Sequence, residues 1–329
     1  MKSNVFYLLL KTARPRQWIK NFALYAALIF SGFFFYAPRN EWPYFFTVTF
    51  AVITFSLLTS AVYIINDIID IEADRLHPFK RKRPLASGQL SIRTAGIAVA
   101  ILLALVLVMS LYLHPFFRIT ISAYFILQIL YATVTKNIPI LDVLSIAAGF
   151  LLRIYAGAVV VDLHMDVWFL LTVISASLFL AVGKRQSERT LLTGKNWPES
   201  ELTVEKVKGL GKTRKTLKNY SQRLLDQYTA MFANSTWLTY ALFAFQRDNI
   251  RPEGGLLEVY TLLPRTLRSE KLLMLTVPFV IFGVMRYLLL IYEDNQGESP
   301  EKVLLRDKPL LTTGFLFGLV TLVVLYVVG

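Results

Sequence analysis

Apolar runs long enough to cross a bilayer recur from one end of this chain to the other, and that repetition limits the fold more than any single motif. A spanning helix needs roughly 20 mostly apolar residues, and about 17 suffice. By that criterion about nine segments qualify, at 21–37, 44–65, 94–113, 117–135, 141–161, 167–183, 228–246, 272–292 and 310–328. The first is short, and a tight turn at "LHPFF", marked by Pro115, divides the third from the fourth. Soluble domains rarely carry so many such runs. The chain is 55% hydrophobic and 17% charged, with a mean hydropathy of +0.51. It therefore reads as an all-α, polytopic membrane protein. No Gly/Ser linker or low-complexity tract interrupts it, so residues 1–329 form a single membrane domain in this reading.

The few charges are concentrated in loops, with a net charge of +13. Lys and Arg in short loops set membrane orientation. With the N-terminus cytoplasmic, Arg14, Arg16 and Lys20 lie inside, as do the basic segments 66–93 and 184–227. The opposite loops, "APRNEWPY", "LHPFF" and "VDLHMD", are thin and nearly uncharged. The expected location is the cell (inner) membrane, with 184–227 as a partly helical cytoplasmic cap. Segment 247–271 mixes both signs and suits an interfacial helix. Basic loops at a membrane face suit anionic headgroups and phosphorylated substrates, so the partners implied are lipid and phosphates, with no nucleic acid. A homo-oligomer in the membrane is compatible with such a chain. With no cysteine, disulfides, thiolate metal sites and a cysteine nucleophile are excluded. The N-terminal stretch lacks the pattern of a cleaved signal peptide.

The richest stretch is "NDIIDIEADRLHPFKRKRPLASG", Asn66 to Gly88, directly after the apolar run "FFTVTFAVITFSLLTSAVYII". If helical geometry continues past Ile65, Asp67, Asp70 and Asp74 fall at i, i+3 and i+7, on one face. Asn66 borders that face and Glu72 points away. Like charges on one stripe repel, so the arrangement calls for a cation. Oxygen-only ligands fit Mg²⁺, which shares its coordination sphere with substrate phosphates. The competing reading is a solvated acidic helix end. The direct extension of a membrane helix, with bases following at once, favours the metal. Asp67 and Asp70 are the best direct ligands, and Asn66 and Asp74 complete the set.

A polyphosphate held by Mg²⁺ keeps excess negative charge, which Lys and Arg can neutralise. Arg75, Lys80, Lys82 and Arg83 follow the acids, although ordinary positive-inside topology also explains bases there. Lys20, Lys136, Lys184 and Arg185 stand at other cytoplasmic helix ends. Arg153 lies deep in "IAAGFLLRIYAGAVV", where a charge is costly and faces a cavity or a partner. It points to an anion-binding interior.

"NDxxDxxxD" at Asn66–Asp74, after the second expected helix, resembles the first aspartate-rich motif of the UbiA superfamily of intramembrane prenyltransferases. "RPLASG" (Arg83–Gly88), Tyr131 and Lys136 fit it too, and the resemblance spans the chain. It implies about nine helices around a central cavity open to the cytoplasmic side and to lipid. Where prenyl-diphosphate transferases carry a second acidic motif, this chain reads "LAVGKRQSERTLL", with Lys184 and Arg185 in place of acids. That departure is similar to the decaprenyl-phosphate phosphoribosyltransferase branch. "RPRQWIKN" (Arg14–Asn21), "DVLSIAAGFLLRIYAG" (Asp142–Gly157) and "LLRDKPLL" (Leu304–Leu311) agree with it.

The resemblance implies Mg²⁺-dependent transfer of a phosphoribosyl group from 5-phosphoribosyl diphosphate to a polyprenyl phosphate, serving cell-wall pentose donors. Asn66, Asp67, Asp70 and Asp74 would hold Mg²⁺, and Arg75, Lys80 and Arg83 would neutralise donor phosphates. Lys20, Lys136, Arg153, Lys184 and Arg185 would share the remaining phosphates, the lipid's included. Two rival readings stand beside it. Prenyl transfer to an aromatic acceptor is disfavoured by the missing second acidic motif. An ion-binding transporter is disfavoured by the absence of an obvious inverted repeat.

Overall fold

The computed structural model describes residues 4–39, 41–76, 80–193, 216, 219–247, 271–293, 303 and 306–328, and every regular element among them is helical. The chain divides into two compact units, Met1–His164 and Met165–Gly329.

In the first unit, α1 (Val5–Ala13) is capped by Asn4, whose side chain accepts from the Phe6 N–H. It stops at Arg14, in the left-handed region at φ 53°, and Pro15 then opens a 3₁₀ helix, Pro15–Leu24. α2 (Tyr25–Ser31) continues it and ends at Gly32, whose φ of 87° suits a residue without Cβ. The expected span 21–37 is thus replaced by two short helices, neither of which is long and apolar enough to count among the spanning helices.

α3 (Tyr44–Ile69) runs past its expected end at 65, because nothing in "INDII" breaks a helix. The bonds Asp70 N–H to Asn66 O (3.0 Å) and Asp74 N–H to Asp70 O (2.8 Å) carry helical geometry into α4 (Ile71–Leu76). α5 (Ile92–Ser110) starts at Ser91, which caps the Thr94 N–H, and α6 (Pro115–Thr133) starts at the expected proline turn. α7 (Leu141–Val159) completes the unit.

The core joins Leu24 and Leu28 to Phe55, Phe117, Tyr124 and Ala156. About two-thirds of the apolar window of α3 is buried, against 11% for α5. α3 is therefore the hub, and α5 turns most of its apolar surface outward, as a lipid-facing helix does. Between membrane helices the association comes from close packing, and small residues permit it. Gly157 is the extreme case, since a Cβ there would lie 1.9 Å from the Leu24 carbonyl oxygen.

In the second unit, α8 (Val167–Thr193) extends ten residues beyond the expected 183. The helices Gln222–Gln246, Val277–Tyr292 and Lys308–Val323 follow, the last continued by a π-helical turn, Val324–Val328. Seven described helices are long and apolar enough to cross a membrane, and Gln222–Gln246, 25 residues with a more polar face, covers the expected 228–246. Most of the 184–227 cap, and 248–270 within the mixed-charge segment, lie outside the described residues.

Candidate active site

The acidic stripe forms where α3 passes into α4. Asp67 and Asp74 are each only 3% exposed. Arg83 Nη1 lies 3.1 Å from Asp67 Oδ1 and 2.5 Å from Asp74 Oδ2, so one guanidinium nitrogen joins two carboxylates a helical turn and more apart. Arg14 forms a second ion pair to Asp67 Oδ1, its guanidinium 5.1 Å from the centre of the Tyr63 ring. Lys136, in the 3₁₀ turn after α6, reaches Asp70 Oδ1 at 2.6 Å. Asp67 and Asp74 therefore share Arg83, Asp70 pairs separately with Lys136, and cationic side chains balance the three charges.

Other expected residues take different positions. The Asn66 carboxamide makes no hydrogen bond to a described residue and stays available beside the stripe. Arg75 turns back to the Ala86 carbonyl at 3.3 Å, bracing the turn that carries Arg83. Lys80 is exposed on the 3₁₀ turn Lys80–Lys82, and Lys20 is half-buried on Pro15–Leu24.

Arg153, twelve residues into α7, is buried at 6% exposure. Its Nε donates to Asn21 Oδ1 (3.1 Å), Nη1 to the Gly149 carbonyl (2.9 Å) and Nη2 to the Tyr124 hydroxyl (2.7 Å). The rings of Tyr124, Phe150 and Phe55 surround it at 4.9 to 5.9 Å. No described carboxylate pairs with it.

In the second unit, Arg185 is fully buried on α8 and pairs with Glu188 at 2.7 Å, while Lys184 beside it is half-buried. An acid does meet this basic stretch, from the next helix. Asp226 Oδ1 accepts from Gln186 (2.7 Å), Tyr292 (2.9 Å) and Gln222 (3.2 Å).

Sequence reasoning used Arg14 for topology and as part of "RPRQWIKN" but not as a partner of Asp67, and missed Asn21, Tyr124 and Asp226 as organising groups. A signal existed for Arg14. A cationic residue directly before a proline, two elements before the acidic helix, is held at a fixed corner.

Three carboxylates and a carboxamide are a hard-oxygen donor set suited to Mg²⁺. Positive charge already sits among them as Arg83, bridging two of the three. Among the described residues no three acidic side chains converge on a single point, so a cation would share the stripe with these bases. In donor type the residues fit a divalent ion, while their charge is already balanced by Arg14, Arg83 and Lys136.

The UbiA prenyltransferase family profile matches residues 23–187, which hold the stripe, Arg83, Lys136 and Arg153. The chain is 34% identical to the decaprenyl-phosphate phosphoribosyltransferase of Mycolicibacterium smegmatis over 92% of its own length and 87% of the relative's. The chain belongs to the UbiA prenyltransferase family. The Corynebacterium glutamicum protein of the same name is 32% identical, over 92% of this chain and 82% of that one. A UbiA homolog from Archaeoglobus fulgidus, solved bound to GPP and Mg²⁺, superposes with a TM-score of 0.64 at 19% identity. That match covers 97% of this chain and 99% of the other, so the UbiA fold extends over both units. The same Archaeoglobus fulgidus homolog has also been solved bound to DMAPP and Mg²⁺, with a TM-score of 0.64 at 19% identity.

Proposed function

We propose that this UbiA protein transfers a 5-phosphoribosyl group from 5-phosphoribosyl diphosphate to decaprenyl or a related polyprenyl phosphate, releasing diphosphate at the cytoplasmic face of the inner membrane. The observation that carries the reading is the alternation of acid and base in one small region. Asp67, Asp74 and Asp70 interleave with Arg14, Arg83 and Lys136. Such a site can take a diphosphate together with the cation that accompanies it. The phosphoribosyltransferase names of relatives that match over nine-tenths of the chain support the same donor and acceptor.

Asn66, Asp67, Asp70 and Asp74 would hold Mg²⁺, which when bound offsets charge on the departing diphosphate. Arg83 and Lys136 exchange part of their contact with carboxylates for contact with phosphate oxygens. Arg75 keeps the Arg83 turn in place, and Lys80 and Lys20 add positive charge beside it. The uncompensated charge of Arg153 makes the interior of the first unit attractive to an anion. Lys184 and Arg185 offer further phosphate contacts in the second unit.

In the reaction the bond from the anomeric carbon to the diphosphate oxygen breaks, and the electron pair leaves with diphosphate. A lipid phosphate oxygen forms the new bond from the opposite face, with inversion. That oxygen is already anionic at neutral pH, so no strong general base is needed. Positioning and charge stabilisation supply the acceleration.

The test pairs labelled 5-phosphoribosyl diphosphate with polyprenyl phosphate, with and without chelator. A lipid-linked ribose phosphate that disappears with chelator is expected. No such product, with prenylated aromatic formed instead from a prenyl diphosphate, would overturn the reading.

A further inference from the structure

About 35 Å along α3 from Asp67, at the other end of the first unit, lies a cavity of about 850 Å³. All three short loops at that end contribute to it. Glu41 and Trp42 come from the loop before α3, Tyr112 and His114 from the turn between α5 and α6, and Asp162 from the end of α7. Phe50, six residues down α3, sets the floor about 9 Å below the helix start.

The charges there are one-sided. Glu41 and Asp162 line the cavity, and among the described residues no lysine or arginine does. Both acids are exposed, and neither side chain has a hydrogen bond or ion pair with a described residue. The acids at the opposite end differ, because Asp67, Asp70 and Asp74 each hold an internal cation. Trp42 and Tyr112 stand largely exposed at 69% and 81%. Aromatic residues at a helix end are ordinary interfacial anchors, and alone they would mean no more. Here they line the same cavity as two carboxylates that form no ion pair with a described residue, and Phe50 adds an apolar wall. The volume is that of ligand sites, and aromatic faces attract cations as carboxylates do.

We propose that this cavity binds the ammonium headgroup of a membrane lipid. Glu41 and Asp162 pair with the cation, Trp42 and Tyr112 flank it, and the Phe50 floor takes the adjoining apolar part of the molecule. This assignment is independent of the transferase reading.

The experiment is native mass spectrometry of the purified protein after incubation with equimolar phosphatidylethanolamine and phosphatidylglycerol. One phosphatidylethanolamine per chain is expected, retained several-fold over phosphatidylglycerol. E41Q/D162N removes the preference and leaves transferase turnover unchanged. Equal retention of both lipids by the wild type, or a preference that survives in the double variant, would overturn the proposal. Full displacement by chain-free glycerophosphoethanolamine would also overturn it, by showing a soluble amine to be the ligand. The wild-type comparison decides the matter even if the double variant fails to fold.

Discussion

Arg153 donates from Nε to the carboxamide oxygen of Asn21 at 3.1 Å, across 132 positions of sequence. The same carboxamide donates to Ser56 Oγ (3.0 Å) and Thr59 Oγ1 (3.2 Å) on α3, while Arg153 holds Tyr124 on α6. Two side chains therefore join the 3₁₀ helix, α3, α6 and α7. Asn21→Ala strands a buried guanidinium nitrogen and should cost about 2–3 kcal/mol. Arg153→Met keeps the apolar stem and removes the charge with its demands, so it should cost less. Thermal melting in detergent gives the order of the two, and the reverse order would show that Asn21 is not the critical partner.

Gly157→Ala places a methyl 1.9 Å from the Leu24 carbonyl oxygen, a backbone atom with no rotamer to yield. The 3₁₀ helix must move, carrying Lys20 and Asn21 with it. Overpacking of this kind costs about 1–3 kcal/mol, and turnover should fall with it. Gly96→Ala is the control, because nothing lies within 4 Å of its added methyl. In the second turn of α5 it should be neutral or slightly stabilising. Melting temperatures of the two variants, measured side by side, check the contrast.

Asp307 caps the helix Lys308–Val323 through the Leu310 N–H (2.9 Å) and takes a forked pair of bonds from Arg286, at 3.2 and 2.8 Å. The Arg286 hydrogen bonds, and after them the Leu310 bond, hold its carboxyl below the usual carboxylate range. A carboxyl with a lowered folded-state pKa adds stability above its unfolded value, about 3.9. That stability is lost as pH falls through the folded value. Melting followed from pH 6 to pH 3 should show this loss in the wild type. Asp307→Asn keeps an acceptor for the cap and should flatten that part of the curve. An unchanged acid limb would remove Asp307 from the account.

Much of this architecture was legible because membrane insertion writes itself as apolar length, and seven spans can be read without knowing how they pack. The stripe was legible because Asp67, Asp70 and Asp74 need only local helical geometry to align. Arg14 as the Asp67 partner, the Asn21–Arg153 link and the arrival of Asp226 at α8 were not. Each joins residues 40 or more positions apart. Their pairing depends on which helix faces meet, which a local pattern does not encode. The first expected span, 21–37, failed for another reason, because Gly32 ends the helix after Ser31 and the residues before it wind as a separate 3₁₀ helix.

The ion pairs around the stripe make opposite predictions for metal and for substrate. Arg14 and Arg83 both pair with Asp67, so a divalent cation meets a carboxylate already paired. Arg14→Gln removes one competitor and should tighten Mn²⁺ binding to the free protein several-fold, measured by calorimetry. The same variant should raise KM for the diphosphate donor, because a cation available to the phosphates is gone. Arg83→Lys keeps the charge but has no planar fork to reach Asp67 and Asp74 together, so a turnover loss of about tenfold or more is expected. Asp67→Asn should abolish both Mn²⁺ binding and turnover while the protein stays folded. If Asp67→Asn binds Mn²⁺ as the wild type does, the cation lies elsewhere and the stripe is a structural ion-pair network.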